Sequence, residues 1–166
     1  MNIFVLNTHP QTAARMQHDK HVVKMVLEST QMLCSAFDSK HNPPYKKAYI
    51  NHPCTVWART SKENYEWLLL HGLALALEYT YRYNKQHASE KVINWCFANY
   101  KSLINFPKQG LTNRPLAMPM EYKTKDTVES YIKYYIGEKL NNAKWTNRKK
   151  PEIFSNIQGN YLFYNN

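Results

Sequence analysis

The densest pattern in the chain lies between His18 and Gln31. Apolar residues occupy almost every face of the helix this run predicts, and a polar stripe of His21, Lys24, Glu28 and Gln31 interrupts them. At ~100° per residue these four side chains fall within about a quarter of the circumference. Met25 and Met32 border the stripe on one side and Leu27 on the other. A helix apolar nearly all round is expected to be buried. Burying a base, an ammonium and a carboxylate together is costly unless they pair or do chemistry. The stripe is therefore the first candidate site.

The same periodicity organises the rest. Asn2 to Leu6 predicts a short strand or an extended arm, and Asn7 to Pro10 a turn. Thr12 is a candidate cap for a short helix through Arg15, followed by the helix from His18 to about Phe37. Asp38 to Lys47 reads as a polar loop, and Asn51-His52-Pro53-Cys54 as a proline-marked turn into a short helix, Val56 to Arg59. Thr60 or Ser61 begins the longest helical pattern. Its expected inward face carries Tyr65, Leu68, Leu69, Leu73, Ala76 and Leu77, continuing to Tyr79, Tyr83 or both. Glu78 and Arg82 are spaced for a surface pair. Ser89 is placed to cap a helix to about Leu103, a long loop runs from Asn105 to Pro119, and Asp126 begins a final helix through Ile136. The expected fold is all-α: one domain over residues 1–166, with a short extended segment at the N-terminus. A basic segment, 139–151, leads into an aromatic tail, 152–166, expected to dock on the body.

Composition narrows the function. Only four glycines in 166 residues disfavour a many-stranded sheet, and the formal charge of +10 favours an anionic partner, nucleic acid before membrane. Three widely spaced cysteines form neither a disulfide framework nor a zinc site and suit a reducing compartment. No run approaches the ~20 apolar residues of a membrane span, so a cytoplasmic protein is expected. No cofactor motif is present, and no metal-ligand spacing.

Within the stripe, Glu28 is the candidate acid/base, with His21, Lys24 and the loop residue His52 around it. Such a set equally describes a Lys–Glu pair on a solvated edge beside a satisfied histidine. His18, Arg59, Arg82, Arg114, Lys144, Trp145 and Arg148 are candidates for holding nucleic acid, the arginines on phosphate and Trp145 as a stacking surface. Most helix-end clusters such as that of Arg82 are solvated faces.

Two resemblances add to this. Met1-Asn2-Ile3-Phe4-Val5-Leu6, Asp19-Lys20-His21-Val22-Val23-Lys24-Met25, Asn51-His52-Pro53-Cys54 and Tyr134-Tyr135-Ile136-Gly137-Glu138-Lys139 resemble a family of small tailed-phage proteins over nearly the whole chain. The order of features also resembles the endonuclease V type of pyrimidine-dimer DNA glycosylase. There a short N-terminal segment leads to a helix bearing a histidine and, seven residues later, the catalytic glutamate, as His21 and Glu28 are spaced here. A basic loop, a long amphipathic helix and an aromatic basic C-terminal segment follow. The resemblance implies a compact helical repair enzyme, with Glu28 as the catalytic carboxylate and His21 on DNA. In that family an α-amine exposed by loss of the initiator Met attacks the sugar. Here Asn2 is too bulky for that removal; Lys24 could substitute only if burial depressed its pKa, and a direct water attack guided by Glu28 is the other route.

The expected function is thus a phage-type enzyme acting on DNA, a glycosylase or lyase on a damaged or modified base. The alternatives are an enzyme on a free nucleotide or nucleotide-derived signal, and a non-catalytic DNA-binding or host-inhibitor protein.

Overall fold

A computed structural model describes residues 1–155. Six α-helices follow one another: α1 (Pro10–Met16), α2 (Asp19–Cys34), α3 (Pro53–Thr60), α4 (Lys62–Tyr83), α5 (Glu90–Leu103) and α6 (Thr127–Tyr134). There is no strand among the described residues, and none of their helices is long and apolar enough to cross a membrane. The fold is all-α, as expected.

The long helix α4 forms the centre, and α1, α2, α3 and α5 pack against it. Close packing is set by Gly72, where an added Cβ would lie 3.3 Å from both Ser29 of α2 and Ile93 of α5. The caps follow the sequence: Ser61 accepts from the Asn64 N–H to start α4, and Asp126 accepts from the Glu129 N–H to start α6. The first helix begins earlier than Thr12, because Pro10 supplies its fixed φ at the first helical position. Helix α2 stops at Cys34 rather than Phe37, and Phe37 is buried in the turn that follows.

The N-terminal run is an arm, not a strand. Ile3, Phe4, Val5 and Leu6 are all buried. Asn2 bends its start: its Oδ1 accepts from the N–H groups of Ile3 (2.7 Å) and Phe4 (3.1 Å), and its Nδ2 donates to the Ala117 carbonyl at 2.8 Å. That turn carries Phe4 at φ +37°, a backbone region disfavoured for bulky residues. The Phe4 ring in return stacks on His21 at 4.1 Å between centroids and meets the Tyr135 ring edge-on.

Two expectations about α4 are corrected. Leu77 points to water, 69% exposed, and Leu73 is only half-buried. The inward positions at this end are instead Glu78 and Arg82, at 3% and 2% exposure. They are not a surface pair. Arg82 donates to Glu78 (2.8 Å), to Asp19 of α2 (2.9 Å) and to the Arg15 carbonyl (3.2 Å). Arg148 closes the network with two 2.7 Å bonds to the two oxygens of Glu78. The basic C-terminal segment is thereby strapped across the ends of α1, α2 and α4. Trp145 is buried, its indole N–H on the Met16 carbonyl at 3.0 Å, and Phe154 packs beside it and Tyr135. The docked tail expected from residue 152 is seen as far as Ser155; Ile157, Tyr161, Leu162, Phe163 and Tyr164 lie outside the described residues.

Candidate active site

Helix α2 is not buried on every side. Val23 and Leu27 are 42% and 40% exposed, and with Lys24 they form its solvent edge. The polar stripe straddles the boundary. Its His21 and Glu28 edge turns inward under the N-terminal arm, and its Lys24 edge faces water.

Glu28 is 8% exposed and is the point of convergence. Its Oε2 accepts from the backbone N–H of Asn2 at 3.0 Å and lies 3.7 Å from the α-amine of Met1. Its Oε1 lies 3.2 Å from the Lys24 ammonium, one helical turn earlier. The arm's bend at Asn2 is what aims the amine at this carboxylate. Lys24 is two-thirds exposed, so the burial that would make it a nucleophile is missing. His52 caps α3 through Nδ1, which accepts from the Cys54 N–H at 3.2 Å. Its pKa is lowered by partial burial and then by the N-terminal amine, against an opposing pull from Glu28. The α-amine, Glu28, Lys24 and His52 therefore share one electrostatic neighbourhood.

His21 sits behind it. Its Nδ1 is 2.8 Å from the Tyr135 hydroxyl, which also accepts from the His18 N–H, and the two imidazoles lie 4.1 Å apart, tilted by 31°. Burial holds His21 down to about 3, with His18, Lys139 and Lys24 pushing the same way, and holds His18 to about 4 against an upward pull from Asp19. His71 in the core of α4 is likewise lowered to about 3 by burial alone. These three imidazoles are neutral in the folded protein but protonate near ~6.5 in the unfolded chain. Between about pH 6.5 and the folded values the unfolded state binds more protons, so stability rises with pH there. The melting temperature is expected to be level above neutrality and to fall steadily from about pH 6 to pH 4, which calorimetry across that range checks.

The candidate DNA contacts divide. Arg82 has its donors committed to internal partners, and Trp145 has no face free for a base. Arg148 is held by Glu78 and by the Tyr81 ring, 4.2 Å from its guanidinium carbon. Arg114 lies over Trp67 at 4.7 Å and donates to the Thr8 carbonyl. Lys144 is exposed. Arg59 donates to the Ile50 carbonyl and lines a groove with Lys40, His41 and Lys47.

The sequence profile of the pyrimidine dimer DNA glycosylase family matches residues 1–91, more than half of the chain. The chain belongs to this family. The matched part contains the arm, α1 to α4, Glu28 and His52, whereas the strap that holds Arg82 and Asp19 in place lies beyond it. No curated protein and no solved structure matches the chain. Sequence reasoning set the α-amine aside at Asn2. It gave no role to Tyr135 and Phe4, which stood only within the family-like runs, nor to Asp19, whose partners lie 63 and 127 residues away.

Proposed function

We propose that this protein excises pyrimidine dimers from duplex DNA, with the N-terminal α-amine as nucleophile and Glu28 as its acid/base. The observation that carries the reading is the approach of the amine to a nearly buried carboxylate, with the next backbone nitrogen bonded to the same oxygen. An α-amine is a good imine former once deprotonated, and a carboxylate beside it can accept and return the proton.

The amine nitrogen attacks C1′ of the damaged nucleotide. The N-glycosidic bond breaks, its electron pair stays on the pyrimidine nitrogen, which takes a proton from solvent, and the pyrimidine remains tethered to its neighbour through the cyclobutane ring. Glu28 accepts the proton the amine loses and returns it to the sugar ring oxygen as the ring opens to an iminium. Loss of a C2′ proton then breaks the C3′–O bond and nicks the strand, and water releases the amine. Lys24 and His52 hold positive or dipolar character beside the scissile sugar. Arg59, Arg114 and Lys144 are the candidates that remain for phosphates.

The experiment is borohydride trapping on a duplex bearing one cyclobutane thymine dimer. The expected result is a covalent protein–DNA adduct whose linked peptide carries the N-terminal residue. An adduct on Lys24, or glycosidic cleavage with no trappable adduct, rejects the amine. The absence of both an abasic sugar and a nick at the dimer rejects the glycosylase. Binding that weakens linearly in log–log terms with salt is expected for DNA, and a flat response would favour a free nucleotide.

A further inference from the structure

One exposed turn presents two large apolar side chains beside this site. Tyr49 is 71% exposed and Ile50 46%. Tyr49 also holds φ +47°, a backbone region in which an aromatic residue is rare. Strained backbone of this kind persists only where its surroundings over-determine it, and it clusters at functional sites.

The surroundings do fix this turn. The Ala48 N–H donates to the Ser35 hydroxyl at 3.1 Å, and that hydroxyl donates to the Gln31 carbonyl at 2.7 Å. The Tyr49 carbonyl accepts from the His52 N–H at 2.9 Å, and the Ile50 carbonyl accepts from Arg59. The backbone is thus tied to α2, which carries Glu28, and to α3, which His52 caps. Ser35 lies two turns beyond Glu28 on one helix, ~10 Å along its axis. A flexible loop would bury Tyr49 and Ile50 or let them move. A pinned loop holds both in water, where they gain nothing for the folded protein alone.

The neighbouring charge names the occupant. Ile50 also lines a groove of about 580 Å³ beside the apolar wall of Phe37, where Lys40, Lys47 and Arg59 outnumber the one carboxylate, Asp38, which lies 4.0 Å from the Lys40 ammonium. Lys46 and Lys47 precede the turn and are exposed. Apolar side chains projecting from a cationic rim match stacked bases between phosphates, not a hydrophobic protein face. A glycosidic bond inside a duplex is reached by opening the stack around it, and inserted apolar side chains are one means of opening a base step.

We propose that Tyr49 and Ile50 form a wedge that enters the base stack next to the lesion while the cationic groove holds the flanking phosphates. The proposal rests on the glycosylase reading for its substrate. Tyr49 and Ile50 act on the duplex and not on the reacting atoms.

The test uses the full chain and the variant Y49G/I50A. Glycine suits the positive φ, so the turn is expected to keep its fold and its melting temperature. Single-turnover excision from a dimer-containing duplex should fall by about tenfold or more, whereas excision from the same sequence as a single strand should stay within about twofold, because no stack has to be opened. Y49F/I50L should restore the duplex rate. Equal losses on both substrates, or no loss on either, overturn the wedge. A binding readout separates this from failure of the chemistry. With 2-aminopurine beside the dimer, wild-type protein should raise its fluorescence and Y49G/I50A should not. If wild type excises nothing yet unstacks the probe, the wedge stands and the glycosylase falls. If wild type leaves the probe stacked, the wedge falls, and these side chains face something other than DNA.

Discussion

Glu28→Gln is expected to lower single-turnover excision by about a thousandfold while leaving the fold and DNA binding in place. Glutamine has the volume of glutamate and keeps an oxygen for the Asn2 N–H, which donates to Oε2 at 3.0 Å. What it removes is the charge that draws the α-amine, 3.7 Å away, and the capacity to take and return a proton. The stability cost should be only about 1 kcal/mol, since the hydrogen bond survives and the Lys24 ammonium is two-thirds exposed. DNA affinity should be unchanged or slightly higher, because a negative charge leaves a basic surface. The paired measurement is excision rate and melting temperature. A large fall in melting temperature with a proportionate loss of rate would make Glu28 a structural carboxylate. An unchanged rate would remove it from the chemistry and favour a protein that only binds.

Much of this site was legible because helix periodicity is. The seven-residue step from His21 to Glu28 puts both on one edge of α2 whatever surrounds them. Which edge turns inward was not legible, because Val23 and Leu27 are as apolar as Val22 and Val26. The arm decides it, and the arm's path depends on the Asn2 carboxamide reaching Ala117, 115 residues away. The same side chain that argued against exposing a new amine is the one that turns the existing amine toward Glu28. In α4 the inward face was readable at Tyr65, Leu68, Leu69 and Ala76, all buried. It failed at Leu77, because an i,i+4 pair of opposite charges has the same spacing on a surface as inside. Only Asp19 and Arg148, distant in sequence, show that the Glu78–Arg82 side is covered. Trp145 misled in the same way, since lysines around an aromatic describe a stacking surface and a snorkelling anchor equally well. Tyr49 lies between the polar loop and the proline-marked turn, and neither its exposure nor its φ has a sequence signature.

Arg82→Met is expected to destabilise the protein by roughly 3–5 kcal/mol, the range for removing one partner of a buried ion pair. Methionine fills much of the volume but supplies none of the bonds to Glu78, Asp19 and the Arg15 carbonyl. Two of those groups keep other partners: Arg148 on Glu78, and the Thr146 N–H and hydroxyl on Asp19. The loss should therefore lie toward the lower end, a fall in melting temperature of about 10 °C for a chain of this size. Arg148→Met should cost less, since that side chain is 29% exposed and its removal leaves Glu78 paired with Arg82. The Arg82→Met and Arg148→Met losses should not add, because both arginines share Glu78. The opposite pattern belongs to a phosphate ligand: intact melting temperature, weaker DNA binding and a shallower salt dependence. Because Asp19 lies in the first turn of α2 and is held by both Arg82 and the strap, loosening this network also frees the helix end that carries His18 and His21. Excision by Arg82→Met is then expected to recover toward wild type as the assay is cooled below its lowered melting temperature, which a lost phosphate contact would not allow.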